Sequence, residues 1–304
     1  MHKQDIQEIL HAAQSSPRHR FGQHFMLDDN MLETIAAAAH LTRDDLVLEV
    51  GPGVGNLTAV LARQAGYVLA VDIDGPLLQA AAAHWHTLAN VHWLHADALA
   101  GKHCVNPEII ATLGDLRRTH NLSKLKLVSN LPYNAASPLI AELLVALWVQ
   151  SRARTPGPLQ LDCLAFTVQW EVAKRMAAGR GTRDYGALGI LIQLLAKVEV
   201  LRPIDRQCFW PPPKVRSALV RIIPTPNQFA AIPDILLLQR LLAALFAHRR
   251  QTLANAIRHG LHPENFPRII AQILAAGINP NSRPAELGPS DFILISKLLS
   301  ASAS

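Results

Sequence analysis

Three glycines in this 304-residue chain have a spacing suited to ligand binding. Gly51, Gly53 and Gly55 follow the apolar run 46–50 in a G-x-G-x-G pattern, which predicts a buried strand entering a glycine turn before a helix. Because glycine has no Cβ, a ligand can rest against backbone N–H groups at such a helix start. The spacing alone is weak evidence, since a plain strand-to-helix turn uses the same residues.

Two acidic residues follow the next two apolar runs. Asp72 ends the run 67–71 and Asp97 follows the run 91–95, and the carboxyl ends of parallel strands share one crevice. Asp72 could accept hydrogen bonds from both ribose hydroxyls, and Asp97 from an adenine amino group, although each could instead cap a helix. Together with the glycine turn they indicate an adenosine-containing cofactor, without separating a nicotinamide dinucleotide from S-adenosylmethionine.

The segment Asn130-Leu131-Pro132-Tyr133 favours the second cofactor, and it directly follows the apolar run 125–129. The lone pair of adenine N6 is delocalised into the ring, so this amine is a poor nucleophile. The Asn130 side-chain oxygen and a backbone carbonyl of the following turn could hold its two protons and favour pyramidalisation. Pro132 fixes the turn, and Tyr133 offers a ring for a flipped-out base. Methylation of adenine N6 is the prediction, and a plain proline turn is the alternative.

These residues require a scaffold of alternating strands and helices. The order of apolar runs and helical patterns predicts an α/β fold with a parallel sheet over residues 1–225. Pro224-Thr225-Pro226 is the candidate linker, and the pattern beyond it predicts a smaller, all-helical domain over 226–304. Residues 101–124 are polar and predict an irregular surface insertion.

Composition restricts the classes of function. Hydrophobic residues make up 50% and charged residues 17%, which excludes wholesale disorder. Cys104, Cys163 and Cys208 form neither a disulfide framework nor a metal motif, and the four histidines of 84–95 lack a completing ligand, so we expect no metal site and a reducing cytoplasm. We expect no membrane span and no secretory signal, because no apolar run is long enough.

The positive charge is concentrated in one stretch. The chain carries 29 Lys and Arg against 23 Asp and Glu, a net charge of +6. Residues 170–221 hold ten Lys and Arg and four Asp and Glu, so their difference of six equals the excess of the whole chain. Phosphates dominate the affinity of proteins for nucleic acids, and this stretch therefore predicts an RNA-facing patch.

The sequence resembles the small-subunit ribosomal RNA adenine N6,N6-dimethyltransferase family over nearly its whole length. The segments that carry the resemblance are Gly-Gln-His-Phe-Met at 22–26, Leu-Glu-Val-Gly-Pro-Gly at 48–53, Asp-Ala-Leu at 97–99, Asn-Leu-Pro-Tyr at 130–133, the Phe-x-Pro-x-Pro-Lys-Val-x-Ser pattern at 209–217, Arg-Arg at 249–250 and Arg-Pro-x-Glu-Leu at 283–287. Their combination is far more specific than any one of them.

The resemblance implies a Rossmann-like, S-adenosyl-L-methionine-dependent methyltransferase domain with a cofactor-capping segment at 15–27, and a helical C-terminal domain that recognises RNA. It implies dimethylation of two adjacent adenines in a hairpin near the 3′ end of small-subunit rRNA during ribosome biogenesis, by a monomer acting on the pre-30S particle. The implied cofactor-binding residues are Gln23, His24, Met26, Gly51, Gly53, Gly55, Asp72, Ile73, Asp97, Ala98 and Asn130. The implied target-adenine residues are Asn130, Leu131, Pro132, Tyr133 and Phe209, with Phe209 as a second stacking face. The implied RNA-binding residues are Arg18, Arg20, Lys174, Arg175, Arg183, Lys214, Arg216, Arg249 and Arg250.

The sequence departs from the family pattern at several positions. Asp72 stands where the family has Glu, Met26 replaces Leu, and Trp170 and Gln251 each replace a Lys, which removes two charges that could meet phosphate. Three alternatives remain: a large-subunit rRNA adenine N6-methylase, a non-catalytic ribosome-assembly or nucleic-acid-binding factor on the same scaffold, and a nicotinamide-dependent oxidoreductase. The last leaves the segment 130–133 without a role.

Overall fold

A computed structural model of the chain describes residues 3–17, 23–101, 104–153, 157, 159–261 and 265–302. Contacts divide the chain into two compact units, one of Met1–Ala173 with Glu199–Pro224 and one of Lys174–Val198 with Thr225–Ser304. None of the helices in the described ranges is both long and apolar enough to cross a membrane.

The first unit is built on a mixed sheet, which has the strand order β4-β3-β2-β5-β6-β9-β7. Neighbouring strands pair in parallel along the series β4-β3-β2-β5-β6, and β9 runs antiparallel to β6. A separate antiparallel pair joins β1 to β8. The strands are β1 (Phe25–Met26), β2 (Asp45–Val50), β3 (Tyr67–Asp72), β4 (Val91–His95), β5 (Lys124–Asn130), β6 (Leu161–Gln169), β7 (Ala196–Ile204), β8 (Phe209–Trp210) and β9 (Ser217–Pro224). This is a Rossmann-like α/β fold, as predicted.

Helices connect the strands and form most of the second unit. They are α1 (Lys3–Ala12), α2 (Asp29–Ala38), α3 (Asn56–Gln64), α4 (Gly75–His84), α5 (Pro107–Thr119), α6 (Ala136–Ser151), α7 (Trp170–Ala177), α8 (Ala187–Leu195), α9 (Ile235–Ala247), α10 (Leu253–Leu261), α11 (Phe266–Ala275) and α12 (Pro289–Ser302). All six residues of β2 are buried, as expected for a central parallel strand covered on both faces.

The predicted irregular insertion at 101–124 is wrong. Residues Pro107–Thr119 form helix α5, whose N-cap Asn106 accepts a hydrogen bond from the backbone N–H of Glu108. Ile109 and Leu113 lie one turn apart and are fully buried. The apolar stripe is narrow and the rest of the segment is polar, so the average composition concealed an amphipathic helix.

The two compact units differ from the predicted domains in one segment. We assigned residues 174–198 to the first domain, but they belong to the second unit. Within that unit the Gly181 N–H donates to the Ala285 carbonyl, and the Tyr185 hydroxyl donates to the Leu287 carbonyl. These bonds tie the segment to residues about one hundred positions further along the chain, which no local pattern can reveal. Strand β7 also lacks a counterpart in the prediction.

Candidate active site

A cavity of about 560 Å³ opens in the first unit, where β2, β3 and β5 end. It lies at the carboxyl edge of the parallel strands, which is where such sheets bind ligands. Most of the predicted cofactor and target-adenine residues line it: Gln23, His24, Met26, Gly51, Gly53, Asp72, Ile73, Asp97, Ala98, Asn130, Leu131, Pro132 and Tyr133. Two others, Gly55 and Phe209, lie outside it.

The glycine turn forms one wall of the cavity with left-handed backbone. Gly51 has φ +77° and Gly53 has φ +58°, a region that favours glycine. A Cβ on Gly51 would stand 2.9 Å from Cγ of Pro132, and one on Gly53 would stand 2.9 Å from Cε1 of Phe25. The turn therefore packs directly against the Asn-Leu-Pro-Tyr segment on one side and the 23–26 segment on the other.

Gly55 serves packing and not the cavity wall. It begins α3 with φ +85°, and a Cβ there would lie 2.5 Å from Cδ1 of Trp85. The Trp85 indole N–H donates to the Val54 carbonyl over 2.9 Å. Trp85 therefore covers and holds the glycine turn, a role that sequence reasoning missed because Trp85 ends a helix about thirty residues further along the chain.

Two buried carboxyl groups face the same cavity. Asp72 accepts hydrogen bonds from the backbone N–H groups of Gly53 (3.3 Å) and Asp74 (2.9 Å), but burial outweighs these bonds and raises its pKa to about 6. Burial raises the pKa of Glu49 to about 8, against the opposing hydrogen bond from the Thr58 hydroxyl at 2.6 Å. Sequence reasoning did not assign Glu49, although an acid within an apolar strand was the available signal.

The sequence predicts that S-adenosylmethionine binds here, and on that prediction its affinity falls as the pH drops below about 6. The pKa of Asp72 is raised to about 6, so above that pH its carboxylate is ionised and can accept hydrogen bonds from two ribose hydroxyls. Below that pH the protonated acid must donate one hydrogen bond instead. Isothermal titration calorimetry between pH 5 and 7.5 should show the Kd rising as the pH falls, with a slope that approaches about tenfold per pH unit. Asp72→Asn is the control, with weaker binding and a flat profile near pH 6. A flat profile for the wild type would contradict the role of Asp72.

The Asn130 carboxamide is held on two sides. Its Nδ2 donates to the His24 carbonyl over 2.9 Å, and its Oδ1 accepts from the Thr167 hydroxyl over 2.5 Å. The Pro132 carbonyl accepts from the N–H groups of Ala135 and Ala136 at the start of α6. The Pro132 carbonyl is therefore used within the turn, and Leu131 beside it also lines the cavity.

Tyr133 and His24 form the adjoining wall. The Tyr133 hydroxyl lies 2.8 Å from Oγ of Ser217, and burial raises the pKa of Tyr133, so the phenol is neutral at physiological pH. The His24 and Tyr133 rings are 5.3 Å apart between centroids, and His24 Nδ1 donates to the Pro211 carbonyl over 2.7 Å. Thr167 was missed because a single hydroxyl residue in an apolar run carries no motif, and Ser217 was recognised only as the end of the 209–217 pattern, without a role.

Phe209, the predicted second stacking face, does not line the cavity in this structure. Its side chain is 2% exposed and belongs to an apolar cluster with Met26, its partner in the β1–β8 pair. Burial of a phenyl ring is strongly favourable, so the ring lies in the core and not in the cavity. The second ring beside Tyr133 is His24.

The predicted RNA-binding residues are distributed over both units. Arg18 and Arg20 lie outside the described residues. In the first unit Lys214 and Arg216 are exposed. In the second unit Arg175, Arg183, Arg249 and Arg250 are exposed and Lys174 is half-buried, 3.9 Å from Asp184. Among the residues that the structure describes, no three His, Cys, Asp or Glu side chains group as a metal site would require.

Known proteins match this chain over most of its length. The model of a family described as ribosomal RNA adenine dimethylase matches residues 14–300. The ribosomal RNA small subunit methyltransferase A of Rubrobacter xylanophilus is 38% identical over 284 residues, which are 93% of this chain and 95% of that protein. Its counterpart in Pelotomaculum thermopropionicum is 36% identical over 296 residues, 95% of this chain and 94% of that one.

Two solved structures are similar to this chain over most of its length. A dimethyladenosine transferase from Plasmodium falciparum superposes with a TM-score of 0.72 at 25% identity, covering 92% of this chain and 98% of its own. The 23S rRNA methyltransferase ErmE superposes with a TM-score of 0.60 at 23% identity, covering 91% and 99%, and at that identity it shows the shared fold alone.

Proposed function

The chain belongs to the ribosomal RNA adenine dimethylase family and is an rRNA adenine dimethyltransferase, and we propose that it uses S-adenosylmethionine to dimethylate N6 of two adjacent adenines in a hairpin near the 3′ end of small-subunit rRNA. One observation carries the proposal. The doubly held Asn130 carboxamide, the Tyr133 ring and the glycine turn line the same cavity. This arrangement suits transfer between a nucleoside cofactor and a flipped-out base.

The residues present fit S-adenosylmethionine. The turn around Gly51 and Gly53 is a cradle that a Cβ would fill, and Asp72 presents a buried carboxylate suited to a ribose. Asp97 and Ile73 line the cavity where an adenine would lie between a hydrogen-bond acceptor and an apolar side chain. When bound, the cofactor supplies a methyl group activated on a sulfonium.

Asn130 and Leu131 handle the target amine. The Asn130 side-chain oxygen and the Leu131 carbonyl accept the two N6 protons, which draws the nitrogen towards a pyramidal geometry and directs its lone pair at the donor. Tyr133 stacks on the base. Since the methyl group is already activated, holding the two reactants in line contributes more than a strong general base would.

The proposed partner is the small ribosomal subunit rRNA in a pre-30S particle. The homologues whose names refer to the small subunit support this choice. The exposed basic residues of the two units supply phosphate contacts, which position an RNA without reading its sequence. Within this proposal the protein acts as a monomer in the cytoplasm.

Incubation with labelled S-adenosylmethionine and unmethylated small subunits is expected to give N6,N6-dimethyladenosine in the digested RNA, detected by nucleoside chromatography. Small subunits that already carry the modification and unmodified large subunits are the controls, and neither should accept label. Label confined to large subunits would favour the large-subunit methylase. Stable binding to small subunits without any dimethyladenosine would favour a non-catalytic assembly factor.

A further inference from the structure

We propose that Thr167 is a positioning residue for methyl transfer, which holds the side-chain oxygen of Asn130 in place; this inference rests on the proposed function. Asn130 ends β5 and Thr167 lies beside it on β6, where the two are register partners. The Thr167 hydroxyl donates to Asn130 Oδ1 over 2.5 Å. Thr167 is completely buried, so water does not compete for this bond.

The His24 carbonyl decides which way the Asn130 amide faces, and the Thr167 hydroxyl then holds the amide oxygen. The His24 carbonyl can only accept, so the group facing it must be Nδ2. Oδ1 then faces the Thr167 hydroxyl, which donates to it. In the flipped amide, Oδ1 would face the His24 carbonyl oxygen, and two acceptors would repel each other across a buried contact.

This arrangement also sets what Asn130 can offer a ligand. A carboxamide has two N–H donors and two lone pairs on its oxygen. One donor is used by His24 and one lone pair by Thr167, which leaves one lone pair and one N–H on the cavity side. Asn130 can therefore accept one N6 proton, while the Leu131 carbonyl accepts the other.

The surroundings of Thr167 would accept an apolar side chain of the same size, so its hydroxyl group is the feature that needs an explanation. The β9 register partner of Thr167, Leu219, is buried and apolar, and directly opposed residues of two paired strands share one face of the sheet. Valine has nearly the same shape as threonine and would suit these surroundings. Only the hydroxyl supplies a donor to Asn130, so the chemistry of the pocket accounts for it better than packing does.

Thr167→Val is expected to lower kcat by about 10- to 100-fold, because a small displacement of a substrate-orienting group has effects of that size. The Kd for S-adenosylmethionine and the KM for small subunits should stay within about twofold, since Thr167 does not line the cavity. Thr167→Ser retains the hydroxyl and should restore most of kcat. Thr34→Val, the same substitution within helix α2, is the matched control, and its kcat should equal that of the wild type.

Steady-state methylation of small subunits, calorimetry with the cofactor and thermal unfolding provide the readouts. The inference is overturned if Thr167→Val keeps the wild-type kcat, if Thr167→Ser is as slow as Thr167→Val, or if only KM changes. Should Thr167→Val not fold, Thr167→Ala replaces it, and a wild-type kcat there overturns the inference as well. A wild-type protein that makes no dimethyladenosine would instead refute the proposed function.

Discussion

Replacing Asn130 with alanine is expected to lower kcat for dimethyladenosine formation by at least about 100-fold, while binding to small subunits should be largely retained. The loss is large because the side-chain oxygen acts directly on the reacting amine, and groups that stabilise a transition state at the reacting atom contribute on the order of 100- to 1,000-fold. RNA affinity comes mainly from phosphate contacts elsewhere, so it changes little.

The measurement is single-turnover methylation under saturating cofactor and small subunits, with a filter-binding assay for RNA affinity. Asn30→Ala, at an exposed position in the first turn of α2, is the control for the same change outside the cavity. Asn130→Ala leaves the Thr167 hydroxyl and the His24 carbonyl without the carboxamide that they bond in the wild type. We therefore expect it to lower the free energy of unfolding by roughly 1–3 kcal/mol. A wild-type rate would show that Asn130 does not hold the amine.

Replacing Gly51 with alanine is expected to raise the Kd for S-adenosylmethionine at least about tenfold and to lower kcat as well. The left-handed backbone at φ +77° disfavours alanine by roughly 1–2 kcal/mol. The new methyl group would also stand 2.9 Å from Cγ of Pro132, so either the glycine turn or the Asn-Leu-Pro-Tyr segment must move. One substitution therefore disturbs both the cofactor cradle and the target-adenine wall.

Gly181→Ala is the control for the same substitution at a similar backbone angle away from the cavity. Gly181 has φ +79°, nearly the same as Gly51, but a Cβ there would meet nothing within 4 Å, and it lies in the second unit. Calorimetry should show weakened cofactor binding for Gly51→Ala alone, while thermal unfolding should show destabilisation of both variants. Equal cofactor affinities in the two variants would mean that Gly51 does not shape the cofactor site.

The sequence by itself predicted most of the residues that line the cavity. The order of apolar runs predicts that Gly51, Asp72, Asp97 and Asn130 lie together, because each follows such a run and parallel strands end at one edge of a sheet. The same reasoning identified the Rossmann-like unit and placed the linker at 224–226, where the contact pattern changes from one unit to the other. These features are local in sequence, so local patterns reveal them.

Tertiary structure decided which residues support those groups. Thr167 lies 37 positions from Asn130 and Ser217 lies 84 from Tyr133, so only the assembled fold brings each pair into contact. Register also decides burial: pairing of β8 with β1 carries Phe209 into the apolar core and away from the cavity. A motif describes which groups can do chemistry, whereas their orientation depends on buried contacts between distant strands, and those form only when the whole sheet has assembled.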